Sequence, residues 1–438
     1  MNGGTEGPSR KDTTSSGWTT STVASALERG SILAAVPILE VLIAVSLFPA
    51  VYLGADRLAP IEAALPVNFY YLAITLATLL ALGTVLRAGY GVGRDRRVDP
   101  RSAAVFFAAL AFVAWAALSL RWTVESGEYA TYKLERLALF GPLLLGFGLV
   151  LARSRRRLVA FALVMGAIGV WLAAEALYAT HVLGEMAFVT VGSDTYLVHG
   201  RAIGFAAPLL SGVVVARRHP AIRLVAGAMI AAALVGSATA GGRGPFVALL
   251  AALGTFVLVE GLTAAAARRV TPAGVAASVG SAIAIVGGAL LMIRTLGSTP
   301  WTLERLGTVG SDSATETRLH MLEEATNLWL ERPLLGHGIG SYDALTATGH
   351  EYPHNVIVET LAELGLVGFG LAALVVLPGL VASLAARVRG GSAMHTAVVA
   401  LFVYMLVNAC LSFDLQSNRQ LFFAAGLLAL GWTARNDE

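Results

Sequence analysis

Charge is what this sequence has least of: 13% of its 438 residues are Asp, Glu, Lys or Arg, against about 25% in a soluble domain. With 56% hydrophobic residues and a mean hydropathy of +0.71, that scarcity excludes a water-soluble globular chain. Cysteine is nearly absent too. Cys410 stands alone inside an apolar run, so an internal disulfide and a thiolate metal site are excluded, and the redox compartment cannot be inferred. There is no Gly-Lys-Ser/Thr phosphate loop, no Gly-x-Ser-x-Gly and no dinucleotide fingerprint, which argues against ATP use. No long internal repeat is evident, which weakens an inverted-repeat transporter.

What the chain does have is apolar length. Runs of roughly 20 residues, enough to cross about 30 Å of hydrocarbon, recur at 31–54, 66–87, 103–120, 134–152, 158–179, 202–216, 223–240, 245–266, 273–293, 356–386, 394–413 and 419–434. The expected fold is all-α, a polytopic membrane bundle of about twelve helices. Residues 1–29 are polar and rich in Gly, Ser and Thr; they read as a disordered cytoplasmic tail without a cleavable signal. Spans one to nine then occupy 30–293, an outer loop 294–355, and the last three spans 356–438.

The pI near 9.1 does not point to nucleic acid, because the basic residues are dispersed in short clusters between apolar runs. Those clusters set topology. Arg87, Arg94, Arg96, Arg97 and Arg101, then Arg153 and Arg155 to Arg157, then Arg217, Arg218 and Arg223, then Arg268 and Arg269, then Arg387 and Arg389 fall in alternate loops. Roughly half of the chain's 31 Lys and Arg thus lie on one side, the cytoplasmic one by the positive-inside rule. The opposite short loops carry Asp56, Glu62, Glu125, Glu128, Glu185 and Asp194. Both termini are expected inside.

One outer loop is long, 294–355, and long loops usually have a function. Within it Ser313 and Glu316 have capping-box spacing, Leu319, Leu322, Ala325, Trp329 and Leu330 fall near one helical face, and Pro333 stops the helix. "LLGHGIGSYD" follows as a glycine-punctuated turn.

Few polar residues remain to do chemistry. Arg201 begins a span, and Arg243 sits among glycines in a short turn. An arginine at depth generally faces a polar cavity or a partner, its planar fork suits phosphate oxygens, and neighbouring glycines let an anion approach the backbone. Snorkelling to the interface is the plain alternative for both. His354 precedes a helix start, where Pro353 and Asn355 fit helix-opening roles. The positive helix end disfavours a cation, so His354 is expected neutral and able to accept a proton; a merely local hydrogen bond is the alternative. His350 and His354 have i,i+4 spacing, but Pro353 breaks any shared helix, so no metal is expected. Glu359 and Glu363 share one face of a span and should meet polar partners, as structural ties or as catalytic carboxylates.

The stretch "RLHMLEEATNLWLERPLLGHGIGSYD" followed by "HNVIVETLAELGLVG" resembles the O-antigen ligase and polymerase superfamily of polytopic glycosyltransferases. Arg318, Trp329, Pro333, Leu334, Gly336, Gly338, His354, Asn355, Glu363, Gly365, Leu366 and Gly368 carry the likeness. "GGRG" at 241–244 is similar to an upstream Ser-Arg-Gly element, with Gly242 where serine is usual, and His337 replaces an aliphatic residue in the turn. The resemblance implies glycan transfer from undecaprenyl pyrophosphate to an acceptor sugar hydroxyl, lipid A–core or similar, at the outer face of the bacterial cytoplasmic membrane. It implies His354 as base, Arg201 and Arg243 on the pyrophosphate, inversion at the anomeric carbon, and no nucleotide, metal or other cofactor. Arg318, Asn355, His337, Glu359 and Glu363 are expected to support them. Repeat-unit polymerase, protein O-glycosyltransferase and lipid or solute transporter are the alternatives.

Overall fold

The computed structural model describes residues 37–49, 67–90, 99–124, 128–184, 195–217, 219–267, 301–310, 313–347 and 349–432, with single positions at 51, 61, 64 and 65. The chain divides into two compact units, Met1–Ile38 and Leu39–Glu438, and almost all described residues belong to the second. The tail at 1–29, the span at 273–293 and the loop residues Arg94, Arg96, Arg97, Arg218, Arg268, Arg269, Asp56, Glu62, Glu125, Glu185 and Asp194 lie outside the described residues.

Every regular element among the described residues is a helix. In chain order they form α1 (Ile38–Leu47), α2 (Phe69–Tyr90), α3 (Pro100–Ser119), α4 (Glu128–Ala152), α5 (Arg155–His181), α6 (Tyr196–Gly204), α7 (Ala207–Ala216), α8 (Pro220–Thr239) and α9 (Arg243–Ala266). Then come α10 (Trp301–Gly307), α11 (Ser313–Glu331), α12 (Ser341–Leu345), α13 (Val356–Val388), α14 (Met394–Leu411) and α15 (Gln420–Leu427), the last running into a short 3₁₀ turn to Trp432. Among the described residues nine helices are long and apolar enough to cross a membrane, counting α6 and α7 as one, and two shorter apolar helices sit at the positions of the first and last expected spans. The chain is an integral membrane protein.

Small residues let the helices close up. A Cβ on Gly148 would lie 2.3 Å from the Phe423 carbonyl oxygen, and one on Gly426 equally close to that of Leu145, so α4 and α15 touch backbone to backbone. Such contact substitutes for a hydrophobic drive that lipid does not provide. At the end of the bundle that carries the basic clusters, Arg387 grips Glu260 through two bonds of 2.7 Å, and Thr396 donates to the same carboxylate. That brace ties α9, α13 and α14.

The expected single span at 356–386 is two helical pieces. Gly365 has φ 66° and ψ −169°, a backbone conformation open essentially to glycine alone. The break would orphan peptide groups inside a membrane protein, and the turn at 333–338 satisfies them. Leu366 N donates to Pro333 O and Val367 N to Leu334 O, while His337 N donates to Ala362 O and Gly338 N to Glu363 O. Trp115 Nε1 adds a bond of 2.9 Å to Leu364 O. The portion Leu366–Val388 is about 34 Å long at 1.5 Å per residue, enough to cross the bilayer unaided. Val356–Leu364 is therefore a half-helix docked on the long loop. An alanine at position 365 would put its Cβ 2.2 Å from Leu334 O. Gly365→Ala is expected to lower the melting temperature of the detergent-purified protein by several degrees, with a loss of about 3 kcal/mol or more; an unchanged thermal scan would refute the role given to the turn.

The helix expected in the long loop forms as α11 and ends before Pro333, but its buried stripe is Met321, Ala325 and Leu328. These pack with Tyr342 and Ala362. Leu319 and Leu330, expected on one face with Ala325, are exposed, because docking against the half-helix selects a stripe that keeps Ala325 and takes Met321 and Leu328.

Candidate active site at one end of the bundle

The half-helix is held by charge. Lys133, on the first turns of α4, is fully buried and lies 2.5 Å from Glu359 Oε1 and 2.8 Å from both oxygens of Glu363. The two glutamates sit four residues apart on one face, as expected, and meet one ammonium between them. Glu359 Oε1 also accepts from Leu415 N at 3.0 Å, while its Oε2 is buried without a partner. Leu415 belongs to the polar link between α14 and α15, where buried Asp414 accepts from Tyr129 Oη at 3.1 Å and from Ser417 N at 2.9 Å.

Arg201 reaches the same link from α6. The residue is 2% exposed, and its guanidinium donates to Asn418 Oδ1 and Asn408 O at 2.8 Å each and to Ser412 O and Oγ at 3.0 and 3.1 Å. It also stacks 4.6 Å from the Phe413 ring. Only Nε is left without a hydrogen-bond partner, and among the described residues no carboxylate lies within ion-pair distance. Snorkelling is excluded for Arg201: this cation is buried and spends most of its donors on the 408–418 segment.

Arg243 opens α9. Gly241, at φ 85°, and Gly242 shape the turn before it, and Gly241 N donates to Thr302 Oγ1 at 3.0 Å. Arg243 donates to Arg305 O at 3.1 Å, and Arg305 donates back to Gly241 O at 2.9 Å. Two half-buried arginines therefore flank the N-terminus of a long helix, where anions are favoured. A Cβ on Gly244 would lie 3.6 Å from Leu411 and 3.9 Å from Ser412 Oγ. The segment that Arg201 holds thus also borders this turn.

His354 is half-buried at φ 57°, a left-handed backbone for a non-glycine residue, which stores strain of about 1–3 kcal/mol. Asn355, not His354, caps the half-helix: its Oδ1 accepts from Ile357 N at 3.1 Å and Val358 N at 3.2 Å. The imidazole packs edge-on 4.7 Å from Tyr352, and Nδ1 is buried with no partner. Burial chiefly, with help from the Arg318 guanidinium and His350 and against the pull of Asp414, holds its pKa down at about 4. The imidazole is neutral, as expected, with burial the largest cause. Burial, with Asp414, Glu351 and Glu359, pushes the Tyr352 hydroxyl up to about 12 against the opposing charge of Arg201. His337 has a local duty, with Nε2 donating to Leu328 O at 2.9 Å.

The segment 408–418 connects these groups: it is held by Arg201 and Glu359, Lys133 joins Glu359 to Glu363, and Asp414 in that segment and Arg318 act electrostatically on His354, with Arg243 on its border and His337 in the supporting turn. Sequence reasoning missed Lys133, Asp414, Tyr352 and Arg305. Lys133 was legible as a lysine one residue ahead of an apolar span, and Asp414 as an acid in the short link "SFDLQSNRQ" between two apolar runs.

Residues 228–373 match the family model described as O-antigen ligase. The matched stretch holds Arg243, Arg305, Arg318, His337, His354, Glu359 and Glu363; Lys133, Arg201 and Asp414 lie outside it. No curated protein matches this chain.

Proposed function

We propose, from the premise that this chain carries the O-antigen ligase family domain over residues 228–373, that it transfers a glycan from undecaprenyl pyrophosphate to an acceptor hydroxyl at the outer face of the cytoplasmic membrane. Members of that family are glycosyltransferase-like membrane enzymes acting on lipid-linked polysaccharide. The observation that carries the finer reading is the buried, neutral and unpartnered Nδ1 of His354 beside a cluster of arginines.

The step balances without a nucleotide. The acceptor oxygen attacks the anomeric carbon, the bond from that carbon to the pyrophosphate oxygen breaks, and the electron pair leaves with the pyrophosphate. The hydroxyl proton passes to His354 Nδ1. Attack from the face opposite the leaving group inverts the anomeric centre. Arg243, with Arg305 beside it and the start of α9 beneath, stabilises charge growing on the leaving group. Arg201 contributes its buried positive charge from below and fixes the 408–418 segment, while Arg318 keeps His354 deprotonated and orders the loop. A lipid A–core acceptor makes the enzyme a ligase, which is our reading; a growing repeat chain would make it a polymerase, and a Ser or Thr a protein glycosyltransferase.

Purified protein in proteoliposomes, given undecaprenyl-pyrophosphate glycan and each acceptor separately, tests this. The wild type is expected to extend one acceptor class with inverted configuration. Arg243→Ala should lose about 100- to 1000-fold in kcat, the usual cost of removing a transition-state donor. A retained anomer would sink the single-displacement step, and a wild type inert on every acceptor would return the chain to the transporter reading.

A further inference from the structure

Away from the polar cluster, an apolar groove of about 1400 Å³ runs between α2 and α3 over α4. From Tyr71 to Val85 along α2 it measures about 21 Å at helical rise. Its end nearer the active site is not apolar. Phe140 lines the groove there, and the Arg419 guanidinium lies 4.8 Å from that ring. Arg136 stands one turn before Leu139 and Phe140 on the same face of α4, outside the groove lining, with its guanidinium 4.4 Å from the Tyr132 ring. Tyr70 packs 6.0 Å from Phe140, and its hydroxyl is buried with no hydrogen-bond partner. Both guanidiniums act electrostatically on that hydroxyl. One cation and an orphaned donor meet at Phe140, with a second cation a turn further on, where a chain lying in the groove would end in its head group. The opposite end offers charges of both signs, Asp99 and Arg153, and suits an anion less.

We propose that this groove holds the polyprenyl tail of the lipid-pyrophosphate donor, whose head group is drawn past Arg419, Arg136 and Tyr70 on its way to Arg243. Continuity with the active site selects this occupant over an ordinary phospholipid: Arg419 follows Asn418, which accepts from Arg201. A donor seated there is led from the bilayer to the 408–418 segment that borders Arg243. The assignment rests on the donor class given above.

The test is photolabelling of the protein in nanodiscs of phosphatidylethanolamine and phosphatidylglycerol. The probe is undecaprenyl pyrophosphate bearing a diazirine within the first few isoprene units from the pyrophosphate. Label is expected on the groove faces of α2 and α4, competed by unlabelled undecaprenyl pyrophosphate and not by added phosphatidylglycerol. The double variant Arg136→Gln/Arg419→Gln should weaken labelling about tenfold. Leu79→Trp fills the groove from a position that is 59% exposed and should block labelling without disturbing the fold. Label elsewhere, or equal competition by phosphatidylglycerol, would overturn the assignment. Labelling requires no acceptor and no turnover. A wild type that transfers glycan but is labelled elsewhere defeats the groove alone, and groove labelling without transfer on any acceptor defeats the reaction alone.

Discussion

His354→Ala is expected to abolish transfer, lowering kcat about 100- to 10 000-fold as loss of a general base does, while donor labelling and the melting temperature stay near wild type. The side chain is half-buried and contributes no capping bond, since Asn355 holds the half-helix; removing it even relieves backbone strain at φ 57° only if glycine is used, so His354→Gly is the matched control. The pH profile separates a base from a structural imidazole. With its pKa held near 4 by burial and Arg318, the base is ready at every pH above about 5, and kcat should fall as pH drops through 4. An ordinary histidine would instead lose activity through about 6.5. Stability follows the same sign. The unfolded chain takes up the proton near 6.5 and the folded one near 4, so this residue disfavours the fold progressively as pH falls across that window and has no effect above it. Arg318→Gln removes one cause of the depression and should move the kinetic inflection upward. An inflection that does not move would contradict the account of why His354 is neutral.

Lys133→Met should be the most damaging substitution for stability. It strips the ammonium from two carboxylates that are 0% and 1% exposed, and breaking a buried ion pair by removing one partner costs about 3–5 kcal/mol. The half-helix would lose its anchor to α4, and His354 its platform. The expected result is little or no folded protein by size-exclusion in detergent. Because the cost comes from unpaired charge rather than lost contact, neutralising the acids should restore the fold: Lys133→Met/Glu359→Gln/Glu363→Gln should melt close to wild type. A triple variant as unstable as the single would show that Lys133 acts through something other than these charges. Lys133→Arg, which keeps the charge but needs more room, should fall between the two.

How far the sequence reached differs element by element. Helical class, the membrane setting and most span positions followed from apolar period and length, since those depend on the bilayer and on nothing distant in the chain. The long loop's helix was legible from Ser313 to Pro333, but of its buried stripe only Ala325 was, because Met321 and Leu328 face inward only once the half-helix is in place. Gly365 was visible as a motif glycine, yet the break in the helix was not, since it exists only when the turn at 333–338 supplies donors from outside. The same holds for the site. His354 and the arginines stood out as polar residues where polarity is costly. Lys133 and Asp414 come from segments more than 40 residues away in sequence from the motif they complete, and no local pattern names a partner at that separation.

The account stands or falls on one measurement: the release of undecaprenyl pyrophosphate from its glycan by the purified protein in proteoliposomes free of nucleotide, followed against glycan gained by the acceptor. Equal amounts of the two products, formed by wild type and not by His354→Ala, are what the account predicts. Glycan moved across the membrane with the pyrophosphate link intact, or transfer undiminished in His354→Ala, would contradict it.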